Sequence, residues 1–258
     1  MKVLCVGDVV GRIGCSFLAK HLLELKSTYG AEVVIVNGEN SSQANGISPS
    51  SAQRLFDAGA DVITTGNHVF RRKEIFEYLE EHSEVLRPAN YPSGTFGRGW
   101  FTLDMGRTAI TVINMLGVVF MENLRNPFEC IDEVLRQQLA KVIILDFHGE
   151  ATSEKLAMAN YLDGRISAMF GTHTHVQTAD ARIFPKGMGY ITDVGMTGPI
   201  HSVLGVKPEL AIYRQKNLLP VRFEIAEGDC MINAVLFEIS EQTGVTSSVQ
   251  SICYTEKH

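Results

Sequence analysis

The chain has 258 residues, 45% of them hydrophobic and 20% charged. That is enough apolar content for a substantial core and too much for a disordered or collagen-like chain. Its 23 Lys and Arg against 29 Asp and Glu leave a net charge of -6 with no run of like charges, which argues against a basic groove for duplex DNA. The first residues carry one cation and turn acidic at Asp8, and no apolar stretch approaches the ~20 residues that span a bilayer. A cytoplasmic protein with neither secretion signal nor membrane segment is therefore expected. Five scattered cysteines without a C-x-x-C pair read as reduced thiols.

In chain order, Val3 to Val6 reads as a strand. Phe17, Leu18, His21, Leu22 and Leu25 recur at helical spacing and mark one face of a helix that stops near Gly30. Val33 to Val36 is a second strand. Ser48-Pro49 has the chemistry of an N-cap and first helical position, opening a helix through Leu55 and Phe56 to Gly59. Asp61 to Thr65 is a third strand, with a helical segment around Ile75 to Glu80. Apolar runs at Val142 to Phe147 and Ile166 to Phe170 flank a helix from about Thr152 to Leu162. This alternation predicts a largely parallel sheet covered on both faces. Gly189 to Asp193, Val221 to Ile225, Ile232 to Ser240 and Val245 to Tyr254 have β patterning with little helix between them, which predicts a more antiparallel second sheet. No linker or repeat interrupts 1–258, so one α/β domain with two packed sheets is expected.

Five of the apolar runs end within a few residues in a side chain fit for metal binding or catalysis: Asp8, Glu39-Asn40, Asn67-His68, His148 and His173-Thr174-His175. Strand ends on one edge are where open α/β sheets bind ligands. Each residue also has a plain explanation. Asp8 can cap the next helix, Glu39 and Asn40 sit in turn-rich sequence, Gly66-Asn67-His68 can be a tight turn, and His148 can be an interior histidine with its bonds satisfied. His173 and His175, two apart on an extended segment, would point the same way and serve one centre or adjacent ones. The set together is poorly explained by packing. The other histidines, His21, His82, His201 and His258, show no such placement and are assigned to helix faces, surface or terminus.

Carboxylate, imidazole and amide ligands without thiolate favour Fe, Mn or Zn over Ca. There are more candidate ligands than one tetrahedral ion needs, so two ions ~3.5–4 Å apart with a bridging hydroxide fit better. There is no Walker-type loop, no G-x-S-x-G elbow and no H-E-x-x-H helix, and Gly7, Gly11 and Gly14 lack the spacing of a dinucleotide fingerprint.

Gly7-Asp8, Gly38-Glu39-Asn40, Gly66-Asn67-His68, His148 and Gly171-Thr172-His173-Thr174-His175 resemble the ordered motifs of the calcineurin-like metallophosphoesterases. Val10 stands where that superfamily usually has a first-motif His, Glu39 where the bridging Asp is expected, and Val69 where Glu commonly follows Asn-His. With these departures, and with Thr192-Asp193-Val194-Gly195-Met196-Thr197-Gly198-Pro199, the pattern is similar to the YmdB-type bacterial phosphodiesterases nearly end to end. The resemblance implies a four-layer αββα sandwich, two mixed sheets flanked by helices, with a dinuclear centre of Fe or Mn (Zn or Mg as substitutes). The implied reaction is hydrolysis of 2',3'-cyclic nucleotides, or RNA-derived phosphodiesters, to nucleoside monophosphates by a metal-bridging hydroxide. One ion would take Asp8, Glu39 and His175, with Asn40 in the vacancy left by the absent His; the other would take Glu39 as bridge, Asn67, His148 and His173. Asn40 could instead donate to a phosphate oxygen, and His68 would act as general acid. Self-association is also implied. A phosphomonoesterase or protein phosphatase on the same centre, or a regulator that senses a nucleotide or RNA without turnover, remain alternatives. The Thr192 to Pro199 segment is either a pocket wall or a structural turn. Arg12, Arg71 and Arg72 are candidates for phosphate or base contact, or plain surface cations.

Overall fold

The structure, a computed structural model, describes residues 1–43 and 45–256; His258 lies outside the described residues. The elements run β1 (Lys2–Val6), β2 (Asp8–Val9), α1 (Gly11–Tyr29), β3 (Val33–Asn37), α2 (Pro49–Ala58), β4 (Val62–Thr64), α3 (Ile75–Glu81), β5 (Trp100–Asp104), β6 (Ala109–Leu116), α4 (Pro127–Leu135) and β7 (Val142–His148). They continue with α5 (Thr152–Leu162), β8 (Ala168–Thr172), β9 (Arg182–Ile183), β10 (Gly189–Ile191), β11 (Met196–Pro199), α6 (Pro208–Asn217), β12 (Cys230–Ile239) and β13 (Thr246–Thr255).

Local chemistry accounts for the first helices. The Ser48 side chain accepts from the Ser51 backbone N–H and Ser51 reciprocates, with Pro49 in the first turn and Gly59 in the left-handed conformation that ends α2. Helix α1 ends the same way at Gly30. Its N-cap is Val10 and no side chain caps it, so Asp8 is free for another role.

Two sheets result. In the first, β1, β3 and β4 are parallel neighbours, and β12 lies antiparallel beside β1. β13 follows the other edge of β12, while β11 and then β2 extend the sheet beyond β1. The second has the order β5-β6-β7-β8-β10-β9, with a parallel core from β6 to β10 and antiparallel strands at both edges. The period of two along each strand explains the layering. Leu4, Val6, Val34 and Val36 face α1, α2 and α3, whereas Val3, Cys5, Val33 and Ile35 face Val112, Ile144, Ala168 and Phe170 of the other sheet. On the far side Ile113, Leu145, Phe147 and Met169 pack against Ile131, Val134, Met158 and Leu162 of α4 and α5. The order helix, sheet, sheet, helix follows. Each fully buried aliphatic side chain contributes roughly 1.5–3 kcal/mol.

The tail does not form a sheet of its own. β12 and β13 complete the first sheet beside the N-terminal strand, and β10 runs parallel to β8 in the second. Both sheets are mixed because long hydrophobic strands pair where burial is greatest, regardless of where they lie in the chain. Val221 to Ile225 belongs to neither; only an isolated bridge joins Ile225 to Val206. Among the described residues no helix is long and apolar enough to cross a membrane, and all five cysteines are free.

Candidate metal centre

The strand ends singled out in the sequence meet, but across two facing sheets rather than along one. In the first sheet Asp8 opens β2 just after β1, and Glu39 and the Asn67-His68 turn follow β3 and β4; in the second, His148 ends β7 and His173 follows β8. Gly66 sits where they converge: a Cβ there would overlap the His148 ring and the Glu39 carboxylate.

Glu39 is 1% exposed and occupies the middle. Its Oε1 lies 3.3 Å from His148 Nε2, 3.3 Å from His68 Nδ1 and 3.0 Å from Asn40 Nδ2, and its Oε2 accepts the His68 backbone N–H at 3.0 Å. On one side His148 Nε2 also faces Asn67 Oδ1 at 3.2 Å and His173 Nδ1 at 3.1 Å. One ligand atom each from Glu39, His148 and His173 falls within 4.8 Å of the others. On the other side His175 Nε2 lies 3.7 Å from Asp8 Oδ1 and 3.3 Å from Asn40 Nδ2.

The outer nitrogen of each imidazole has its own partner. His148 Nδ1 meets the Thr172 hydroxyl at 2.9 Å, and that hydroxyl donates to Asp146 Oδ1 at 2.7 Å, so the ring must donate to it. His173 Nε2 lies 3.1 Å from the Glu150 carboxylate, and His175 Nδ1 donates to the Leu204 carbonyl at 3.0 Å. The remaining nitrogens, His148 Nε2, His173 Nδ1 and His175 Nε2, would offer lone pairs to a cation once each ring is neutral. Around His148 Nε2 stand only acceptors: a carboxylate oxygen, an amide oxygen and a second imidazole lone pair. A single proton can serve one of them, while a cation serves all. Asp8 Oδ1 is fully buried without a hydrogen-bond partner, although Oδ2 accepts the His173 N–H at 3.1 Å. A buried carboxylate oxygen costs free energy unless something positive meets it. The donor set of Glu39, His148 and His173 therefore fits a cation, and the unpartnered Asp8 Oδ1 lies 3.7 Å from His175 Nε2.

Electrostatics agree. Burial pulls the His148 imidazole down, but Glu39, Asp8 and Asp146 outweigh it and push it up to about 9. Burial and the neighbouring His148 push His173 down to about 3. Burial raises the Asp8 carboxyl. Burial also opposes ionisation of Glu39, yet His148 and His68 hold that carboxyl well below the usual range.

One expectation changes. His173 and His175 do not lie on an extended segment: φ is 106° and 62°, left-handed values that for non-glycine residues mark local strain. The twist sends the His173 ring to His148 and the His175 ring toward Asp8. Asn40 turns Nδ2, a donor, toward Glu39 and His175, while Oδ1 meets His68 Nδ1 at 2.9 Å. The Thr192 to Pro199 segment lies behind the cleft, where Asp193 accepts the Thr174 N–H, and Met196–Pro199 is strand β11. Arg12, Arg71 and Arg72 do not line the cleft; Arg72 bonds to the Gln43 and Asn45 carbonyls.

Sequence reasoning missed Asp146, Glu150, Lys155 and Asp193. Asp146 breaks an otherwise apolar strand, and Lys155 falls in the buried helical stripe Glu154, Lys155, Met158, Ala159, Leu162. Both were legible as polar residues at core positions.

The chain is 43% identical over 260 residues to the 2',3'-cyclic-nucleotide 2'-phosphodiesterase of Bacillus subtilis, covering 100% of this chain and 98% of that protein. A protein of unassigned function from Thermus thermophilus superposes with a TM-score of 0.93 at 38% identity, covering 100% of both chains. A novel phosphatase from Mycoplasma pneumoniae superposes with a TM-score of 0.93 at 35% identity, covering 99% of this chain and 93% of the other. Residues 4–252 match the YmdB-like protein family. This chain belongs to the YmdB-like protein family.

Proposed function

We propose that the protein is a metal-dependent phosphodiesterase that opens 2',3'-cyclic nucleotides, with two ions held by Asp8, Glu39, Asn67, His148, His173 and His175. The observation that carries this reading is the convergence of Glu39 Oε1, His148 Nε2 and His173 Nδ1, with His175 Nε2 beside the unpartnered Asp8 Oδ1. The carbonyl, hydroxyl and carboxylate that orient these rings are partners of the kind that fix ligating histidines. Fe and Mn suit this donor set, with Zn or Mg as substitutes.

When bound, such ions lower the pKa of water to make a nucleophile and neutralise charge on the phosphoryl oxygens. The chain supplies the rest. Asn40 Nδ2, beside His175 Nε2, is a donor for a phosphoryl oxygen. His68 is 24% exposed at its side chain and lines the cleft. Its Nδ1 donates to Asn40 Oδ1, which leaves Nε2 unengaged; in the doubly protonated imidazolium Nε2–H would pass its proton to the departing ribose oxygen. The activity named for the Bacillus subtilis relative supports the 2' oxygen as leaving group and a nucleoside 3'-phosphate as product. The same reading treats 1–258 as a single cytoplasmic domain, consistent with unpaired cysteines.

The test is turnover by Mn²⁺-loaded protein of adenosine 2',3'-cyclic phosphate, a linear dinucleotide and adenosine 3'-phosphate, with products identified by chromatography. The proposal expects the cyclic diester to be opened fastest, with loss of turnover in His148→Ala. Preferred release of phosphate from the monoester would make it a phosphomonoesterase. Binding without product would make it a sensor.

A further inference from the structure

The cleft over the metal-ligand cluster, about 360 Å³, has a second wall that the phosphoryl chemistry does not use. Opposite Glu39, His68 and His173 it is lined by Val10, Leu204, Val206, Phe223 and Ile225. This is the Val221 to Ile225 stretch that joins neither sheet. It runs instead as one side of a short ribbon: Ala226 N–H donates to the Gly205 carbonyl and Lys207 N–H to the Glu224 carbonyl, each at 2.9 Å, pairing Ile225 with Val206. Phe223 and Ile225, two apart on this extended stretch, share a face.

The ribbon is braced against the catalytic side. A Cβ on Gly11 would overlap Ile225 Cδ1, and one on Gly205 would lie 2.6 Å from Val10 Cγ1. Gly11 and Gly205 also have positive φ, 61° and 92°, so both positions require glycine twice over. The same ribbon supplies the Leu204 carbonyl that orients His175. The apolar wall is thus fixed relative to the metal ligands. Phe223 stays 37% exposed, and the Arg214 guanidinium lies 5.2 Å from its ring centroid. A rigid aromatic face backed by a cation and opening into a cleft is a stacking platform.

Resting on the function proposed above, we propose that Phe223, seated on the Val206–Ile225 ribbon, is the nucleobase subsite and the residue that makes the enzyme prefer nucleotides over base-free cyclic phosphodiesters. A 2',3'-cyclic nucleotide carries its base on the far side of the ribose from the reacting phosphate, so phosphate at Glu39 and base at Phe223 span one cleft. Because every base has a π-face, stacking of this kind tolerates all four bases.

The test compares kcat/KM for adenosine 2',3'-cyclic phosphate with that for methyl ribofuranoside 2,3-cyclic phosphate, which has the reacting ring and no base. The expected result is a nucleotide preference that falls about 5- to 150-fold in Phe223→Ala, the range of one base–aromatic stack, through KM more than kcat, and that Phe223→Trp retains. A preference unchanged in Phe223→Ala overturns the subsite. Binding is read separately from turnover in Phe223→Trp. Adenosine 3'-phosphate is expected to quench the new indole while methyl ribofuranoside 3-phosphate leaves it unchanged; equal quenching by both, or none by either, also overturns the subsite. Should the Mn²⁺-loaded natural sequence open neither cyclic compound, the proposed reaction fails and the fluorescence result still decides whether Phe223 receives a base.

Discussion

Lys155 Nζ and Asp193 Oδ2 meet at 2.7 Å with their side chains 1% and 0% exposed. The same Oδ2 accepts the Thr174 N–H at 3.0 Å, and the same Nζ donates to the Thr172 carbonyl at 2.9 Å. A buried ion pair thus holds the backbone on both sides of His173, where the left-handed φ values at His173 and His175 need support. In Lys155→Met the Asp193 charge loses its partner in the interior. We expect a loss of about 3–5 kcal/mol in stability by urea unfolding. A loss under about 1 kcal/mol would mean that the loop is held by other contacts.

Much of this was readable in advance, for physical reasons. Strand β3 and helix α2 follow from an apolar β-branched run and from a Ser48-Pro49 cap with Gly59 at the end, all local effects. The gathering of Glu39, Asn67, His148 and His173 was legible because each follows a strand end. What the sequence did not disclose depends on partners distant in the chain. The pairing of β12 with β1 is set by burial between sheets, and Val221 to Ile225 lies outside both sheets, paired instead with Val206 and packed against Gly11. The twist at His173 and His175 depends on Asp193, just beyond β10, and on Lys155 of α5, partners brought there by the fold.

Thr172 accepts from His148 Nδ1 only because its own proton goes to Asp146. Thr172→Val removes that acceptor and frees the ring to rotate or change tautomer. Mn²⁺ affinity by calorimetry is expected to fall about 10- to 100-fold, with Thr172→Ser close to the natural protein. Equal affinity in Thr172→Val would separate Thr172 from the centre.

His68 touches Glu39 through its backbone N–H and Asn40 through Nδ1, yet it has no inward-pointing lone pair among the ligand atoms. His68→Ala is expected to keep its full metal content by elemental analysis and to lose about 10²- to 10⁴-fold in kcat on a ribose leaving group. The loss should be much smaller on a p-nitrophenyl diester, whose leaving group needs no proton. Equal losses on both substrates would rule out an acid role.

In the metal-free protein His148, pushed up to about 9 by Glu39, Asp8 and Asp146 against its burial, carries a proton at pH 7.5. To ligate through Nε2 the ring must lose the Nε2 proton while keeping the one on Nδ1. Binding must therefore release that proton, and affinity rises as pH increases toward 9. Titration calorimetry in buffers of different ionisation enthalpy should show about one proton released per protein from His148 at pH 7.5. Release near zero would show that His148 is already neutral or is not a ligand.

The central claim is that Glu39 stands between two cations. Crystals of Mn²⁺-loaded protein measured at the manganese edge test it directly. The account predicts two anomalous peaks about 3.5–4 Å apart, one beside Asp8 and His175 and the other beside His148, His173 and Asn67, with the Glu39 carboxylate touching both. A single peak, or peaks away from Glu39, would contradict it.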